Sequence, residues 1–336
     1  MARLRRTKSP RPRIFVTQPI CQHALARLRA VANVKVFADA SRIVPRRTLI
    51  EAVRKADILF CLLHDCIDRA VIEANPDLRL IAAQSITPSN IDVAAATARR
   101  IPVTVTAPLT TEATADLTFG LMLAVARRMI EGDRLARAGG FPGGQSGHLM
   151  GSLVWGKTLG LIGGGGLIGK AVARRARGFS MRVLYWTPRR KPKREEREAG
   201  LTYVPLERLL RQSDFVSIHS PLTAATRHQI GARELRLMKK TAFIINTARG
   251  AIIDEAALIR ALEREEIAGA GLDVFEHEPK IAAALKKMAN VVLTPHLGSA
   301  TPDVREAMAN IVVDNILAFI NGHKLPNCVN PQVFAL

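Results

Sequence analysis

The chain has 336 residues, 48% of them hydrophobic, enough for two compact cores with a cleft as the natural ligand site. Its longest apolar runs, at 117–126 and 242–245, fall short of the roughly 20 residues a bilayer-spanning helix needs, so no membrane partner is expected. Lys and Arg total 49 against 29 Asp and Glu, but this +20 is spread along the chain with few aromatics to stack on bases, which argues for a basic surface and against nucleic acid as a partner.

Residues 1–12 form a basic, proline-containing tail with no apolar stretch after it to make a secretory signal. From residue 13, β-type runs at 14–17, 34–37 and 58–63 alternate with helical patterns at 24–30, 47–53 and 69–73. Further strands are expected at 78–83 and 103–105, on either side of a polar helical stretch at 91–100. Such alternation predicts a parallel sheet covered by helices. Residues 114–138 then read as one long amphipathic helix, apolar on the side of Leu117, Leu121 and Val125, stopped by Gly139 and Gly140. A Gly- and Ser-rich stretch at 141–151 leads into a second unit, with strands from 157 and at 182–185, 215–219, 242–246, 268–272 and 291–293, and a last helix at 303–321. The expected fold class is therefore α/β, two doubly wound parallel-sheet (Rossmann-like) domains with an active-site cleft between them. Cys21, Cys61, Cys66 and Cys328 lack paired spacing and histidine partners, which predicts reduced thiols in a cytoplasmic protein and no metal.

Strand, glycine run and helix follow one another at 159–162, 163–166 and 167–177. Gly164, Gly166 and Gly169 satisfy GxGxxG, with Leu167 and Ile168 between them, and the helix start would meet a pyrophosphate with unpaired N–H groups. The acid that binds a ribose 2′-hydroxyl in NAD-selective folds is missing after the next strand. Thr187 stands in its place, followed by Arg189 and Arg190, a fork suited to a 2′-phosphate. This predicts NADP as the preferred cofactor, with NAD also usable.

Three polar residues follow predicted strands of this second unit: Arg249 after Asn246, Thr247 and Ala248; Glu278 after Asp273; and His296 after Pro295. Reduction of a 2-oxo acid needs a cation to hold the carboxylate and polarise the carbonyl, and an acid to protonate the oxygen. Arginine suits the first task and histidine the second, with a neighbouring carboxylate favouring the imidazolium.

These motifs, their order and the glycine loop resemble the D-isomer-specific 2-hydroxyacid dehydrogenases over residues 14–330, and most of all that family's glyoxylate and hydroxypyruvate reductases. The resemblance implies that Arg249 binds substrate, that Glu278 and His296 form the acid–base pair, and that Asp273 lies near the nicotinamide. It places His219 and Pro221 beside the cofactor, although His219 also reads as a structural strand-end residue; Glu276 and His277 are themselves read as pointing to solvent rather than to substrate. It further implies a substrate domain of residues 13–107 and 297–336, a dinucleotide domain of 108–296, and a homodimer formed through residues 114–138. Two other functions share these features, a reductase of a larger 2-keto acid such as 2-ketogluconate and a dinucleotide-sensing, co-repressor-like binding protein. The substrate loop departs from the family. Ser85, Ile86 and Thr87 precede Pro88, with Thr87 where a glycine is usual, so the hydroxyls of Ser85 and Thr87 are expected to replace backbone donors. The glycine run is one residue longer than usual, which leaves two registers for GxGxxG.

Overall fold

The computed structural model describes residues 11–335; residues 1–10 of the expected tail lie outside them. The chain divides into two units, one running to Leu109 and resuming at Thr301, the other spanning Thr110–Ala300.

The first unit holds β1 (Arg13–Val16), α1 (Gln22–Val31), β2 (Asn33–Val36), α2 (Arg46–Val53), β3 (Ile58–Leu62), α3 (Arg69–Glu73), β4 (Leu80–Gln84), α4 (Val93–Ala98) and β5 (Val103–Thr104). All pairings in its sheet are parallel, in the order β2-β1-β3-β4-β5. The strands alternate sides with period two. Phe15, Leu59 and Ile81 pack with Leu49, Val53, Val71 and Ala96 of the following helices. Ile14, Val16, Phe60 and Leu80 pack with Ala24 and Leu28 and with the chain's last helix. Because both faces are covered, β4 is buried along its whole length, which is why it reads as a continuous apolar run.

The second unit starts with α5 (Thr111–Ala126) and α6 (Met129–Arg137) and continues through β6 (Thr158–Ile162), α7 (Leu167–Gly178), β7 (Arg182–Trp186), α8 (Lys193–Ala199), β8 (Thr202–Tyr203), α9 (Leu206–Gln212), β9 (Phe215–Ile218), α10 (Ala232–Leu237), β10 (Phe243–Asn246), α11 (Glu255–Glu263), β11 (Gly269–Leu272) and β12 (Val291–Leu293). Its sheet runs β12-β11-β10-β9-β6-β7-β8, again wholly parallel. The chain winds outward from β6 in both directions, so the switch point lies between β6 and β9, where open α/β sheets bind ligands. The chain then returns to the first unit with α12 (Pro302–Ile320), capped by the Thr301 hydroxyl on the Val304 amide. The two doubly wound sheets expected from the sequence are borne out.

The single helix expected at 114–138 is corrected to two. Arg128 takes the left-handed conformation, φ +53°, and ends α5 after four and a half turns. Nothing in the sequence marks this break, since Arg127 and Arg128 are ordinary helix formers. Among the described residues of α6 none is buried. The two-residue strand β8 was not expected; it is too short to leave a periodic signal.

Candidate active site

β6 ends in a glycine turn whose members do different work. Gly163 has φ +82° and donates to the Trp186 carbonyl, and a side chain there would run into the backbone of His219 and Ser220 at the end of β9. Gly164 and Gly169 pack on each other, bringing α7 onto β6, while Gly166 caps α7, where a Cβ would meet the Gly163 carbonyl oxygen at 3.4 Å, an ordinary contact. The register question is thereby answered in part: Gly163, Gly164 and Gly169 are the close-approach positions. Leu167, 62% exposed, and the half-buried Ile168 form the first turn of α7, whose opening N–H groups have no partner within the helix. His219 Nε2 lies 2.9 Å from Ser217 Oγ, and burial holds its ring neutral, pushed down to about 3. His219 Nδ1 and Ser220 Oγ have no hydrogen-bond partner among the described residues. A cradle that excludes Cβ atoms, with unpaired donors beside it, fits a dinucleotide pyrophosphate.

Arg249, Glu278 and His296 follow β10, β11 and β12, three neighbouring parallel strands. Asn246 shapes the first loop by donating to the Arg249 carbonyl and accepting from the Ala248 amide. Thr247 is tied to Thr118 of α5, 3.0 Å between hydroxyls. Burial pushes the Arg249 guanidinium down from its ordinary value against the opposing charge of Glu278, and it remains a cation. Glu278 accepts from the Phe275 amide with Oε1 and faces His296 Nδ1 with Oε2 at 2.9 Å. The Glu278 carboxylate thus fixes the orientation of the His296 ring through Nδ1.

His296 has φ +57°, a conformation costly for a side chain bearing Cβ. Asp273, fully buried, holds it there: its carbonyl accepts from the His296 amide, and its carboxylate accepts from Thr294 Oγ1, Leu297 N and Gly298 N at 2.6–2.9 Å. Burial pushes the Asp273 carboxyl up while those donors pull it back. Thr114 of α5 completes the frame by donating to the Gly298 carbonyl.

The chain matches the model of the D-isomer specific 2-hydroxyacid dehydrogenase NAD binding domain over residues 119–298. It is 45% identical to a glyoxylate reductase of Thermococcus litoralis, across 96% of this chain and 98% of that one. This chain is a D-isomer specific 2-hydroxyacid dehydrogenase. Solved structures agree: the TT0316 protein of Thermus thermophilus matches with TM-score 0.86 and 41% identity, covering 94% of this chain and 99% of that one. A glyoxylate reductase described from Paecilomyes thermophila matches with TM-score 0.80 and 33% identity, covering 96% and 100%. The dehydrogenase therefore interconverts 2-oxo and 2-hydroxy acids with a nicotinamide dinucleotide.

Several residues of the dehydrogenase act otherwise than its sequence suggests. Arg190 is not half of an open fork: it makes two bonds, of 2.7 and 2.8 Å, to the carboxylate of Glu196 and lies over the Tyr203 ring. Arg190 and the Tyr185 hydroxyl hold Glu196 down at about 2; both arginines are exposed, but the Arg190 guanidinium is engaged by Glu196. The Thr187 hydroxyl donates to the Arg189 carbonyl, shaping that turn. Lys191, which the sequence did not single out, lays its alkyl chain along Gly165 of the glycine turn. Pro221 is exposed, and its carbonyl accepts from Thr226. The Asp273 carboxylate is turned to the 294–298 segment, an anchoring task not foreseen. Glu276 is only 11% exposed, not solvent-facing as expected; His277 is exposed. In the first unit, Thr87 is absent from the residues with positive φ, so its loop does not copy a glycine turn. The buried Ser85 hydroxyl donates within its own loop, to the Thr87 carbonyl. Ile86 is half-buried and Thr87 exposed. The missed frame residues Thr114 and Thr118 had one legible signal, two hydroxyls four apart on an otherwise apolar helix face.

Proposed function

We propose that this dehydrogenase reduces glyoxylate or hydroxypyruvate with NADPH. The observation that carries the reading is the His296–Glu278 pair, 2.9 Å apart, at strand ends adjoining that of Arg249. Arg249 binds the carboxylate of the oxo acid and polarises its carbonyl, and His296, held by Glu278, delivers a proton from Nε2 to the carbonyl oxygen. The dinucleotide, when bound, supplies the hydride. Glyoxylate reductases recur among the relatives, which supports a small oxo acid. The missing acid after β7, the exposed Arg189 and the Lys191 chain on the glycine turn support NADPH. Because α6 buries nothing and Met129, Phe141, Met150 and Trp155 stand exposed, the active species is a homodimer in this reading.

Steady-state turnover of NADPH and NADH against glyoxylate, hydroxypyruvate, pyruvate and 2-ketogluconate tests it. The expected result is a higher kcat/KM with NADPH and one of the first two acids, and a loss of about 10²–10⁴-fold in kcat on His296→Ala. Preference for 2-ketogluconate or NADH would overturn the substrate or the cofactor assignment. A His296→Ala variant as active as wild type would overturn the acid–base role.

A further inference from the structure

Glu276 lies two residues before Glu278 and joins three chain segments. Its Oε2 accepts from the Glu255 amide at the start of α11, and the Glu255 carboxylate in return accepts from the Glu276 amide at 3.1 Å. Its Oε1 lies 2.6 Å from His228 Nε2, with Arg227 at 3.8 Å. His228, itself at φ +52°, donates its amide to the Ala251 carbonyl, two residues beyond Arg249. Gly250, between them, sits so closely on the backbone of Phe275 and Glu276 that no Cβ fits. The segment carrying Arg249 and the segment carrying Glu278 are thus pressed together at Gly250 and tied at Glu276. Burial alone would push the Glu276 carboxyl up; the His228 ring and the Glu255 amide outweigh it and hold the group below its ordinary value.

We infer that Glu276, bridged to His228 and Glu255, is a positioning residue that fixes Arg249 relative to the Glu278–His296 pair. The inference rests on the roles proposed above for those three groups. The Glu276 carboxylate touches no reacting atom. It acts through the segment that ends in Glu278, where a displacement of about 1 Å is enough to cost a large factor in turnover.

Glu276→Ala, Glu276→Gln and His296→Ala in the full chain test this with glyoxylate and NADPH, alongside NADPH affinity from fluorescence quenching and amide hydrogen exchange. Glu276→Ala is expected to lower kcat about 10- to 100-fold and raise the glyoxylate KM, with NADPH affinity within about twofold of wild type. Exchange should accelerate in residues 249–255 and 273–279 and not elsewhere. Glu276→Gln, whose amide oxygen still accepts from the Glu255 N–H, should recover most of kcat. Unchanged kcat and exchange in Glu276→Ala would overturn the inference, as would a loss that spreads to NADPH affinity and is not rescued by glutamine. If wild type fails to turn over glyoxylate while Glu276→Ala still loosens both segments, the brace stands and the substrate assignment falls.

Discussion

His219 shows how far surroundings reset a single side chain. In the folded protein its ring stays neutral down to about pH 3, whereas in the unfolded chain it takes a proton near 6.5. Between those values the unfolded state binds the extra proton, so stability falls as pH drops from about 6.5 towards 3. Glu196 acts in the same direction lower down. Its folded value of about 2 against an ordinary 4.5 gives stability that is full above 4.5 and lost as pH falls through 2. Urea midpoints measured from pH 7 to 5 should decline in wild type and decline less in His219→Asn, which keeps a polar group near Ser217 but does not titrate. Equal slopes would show that the ring is protonated in the folded state. Both residues were visible in the sequence; their titration was not, because desolvation and the Arg190 and Tyr185 contacts arise only on folding.

Elements were legible where they carry a period and illegible where they depend on one backbone angle. The β1, β3 and β4 runs and the 69–73 helix were read to within two residues, since apolar spacing and packing point the same way there. The α5–α6 break escaped because it turns on the positive φ of Arg128 and no glycine or proline announces it. A left-handed residue bearing Cβ costs about 1–2 kcal/mol, and the partly exposed Arg128–Glu131 pair offsets little of that. Arg128→Gly is therefore expected to raise stability by up to about 1 kcal/mol, read as a higher denaturant midpoint at unchanged slope. A lower midpoint would mean that the ion pair, not the backbone, dominates at this turn. The glycine loop was recognised but not resolved: four adjacent glycines offer the pattern in more than one register, and only the contacts with Leu161, Tyr185 and His219 tell them apart.

At the scale of the molecule, an α6 that buries nothing, together with exposed Phe141 and Trp155, predicts association of two copies through the second unit. Sedimentation velocity at micromolar concentration should give a dimer, and Ile130→Glu with Trp155→Glu a monomer; a monomeric wild type would remove the prediction. The sequence by itself determined that there are two parallel α/β units, that a glycine turn opens the second, and that Arg249, Glu278 and His296 follow consecutive strands of it. Those features rest on local periodicity and on residue types that chemistry requires, both written along the chain. Tertiary structure alone decided that Asp273 anchors the His296 segment, that Arg190 belongs to Glu196, that the Ser85 hydroxyl is taken up by the Thr87 carbonyl, and that Glu276 ties two loops together. The Asp273 and Glu276 ties join groups 21 to 48 residues apart, whereas the Arg190 and Ser85 contacts, 6 and 2 residues apart, are set by local turns; in every case folding decides which donor meets which acceptor within about 3 Å, and no spacing along the chain encodes that.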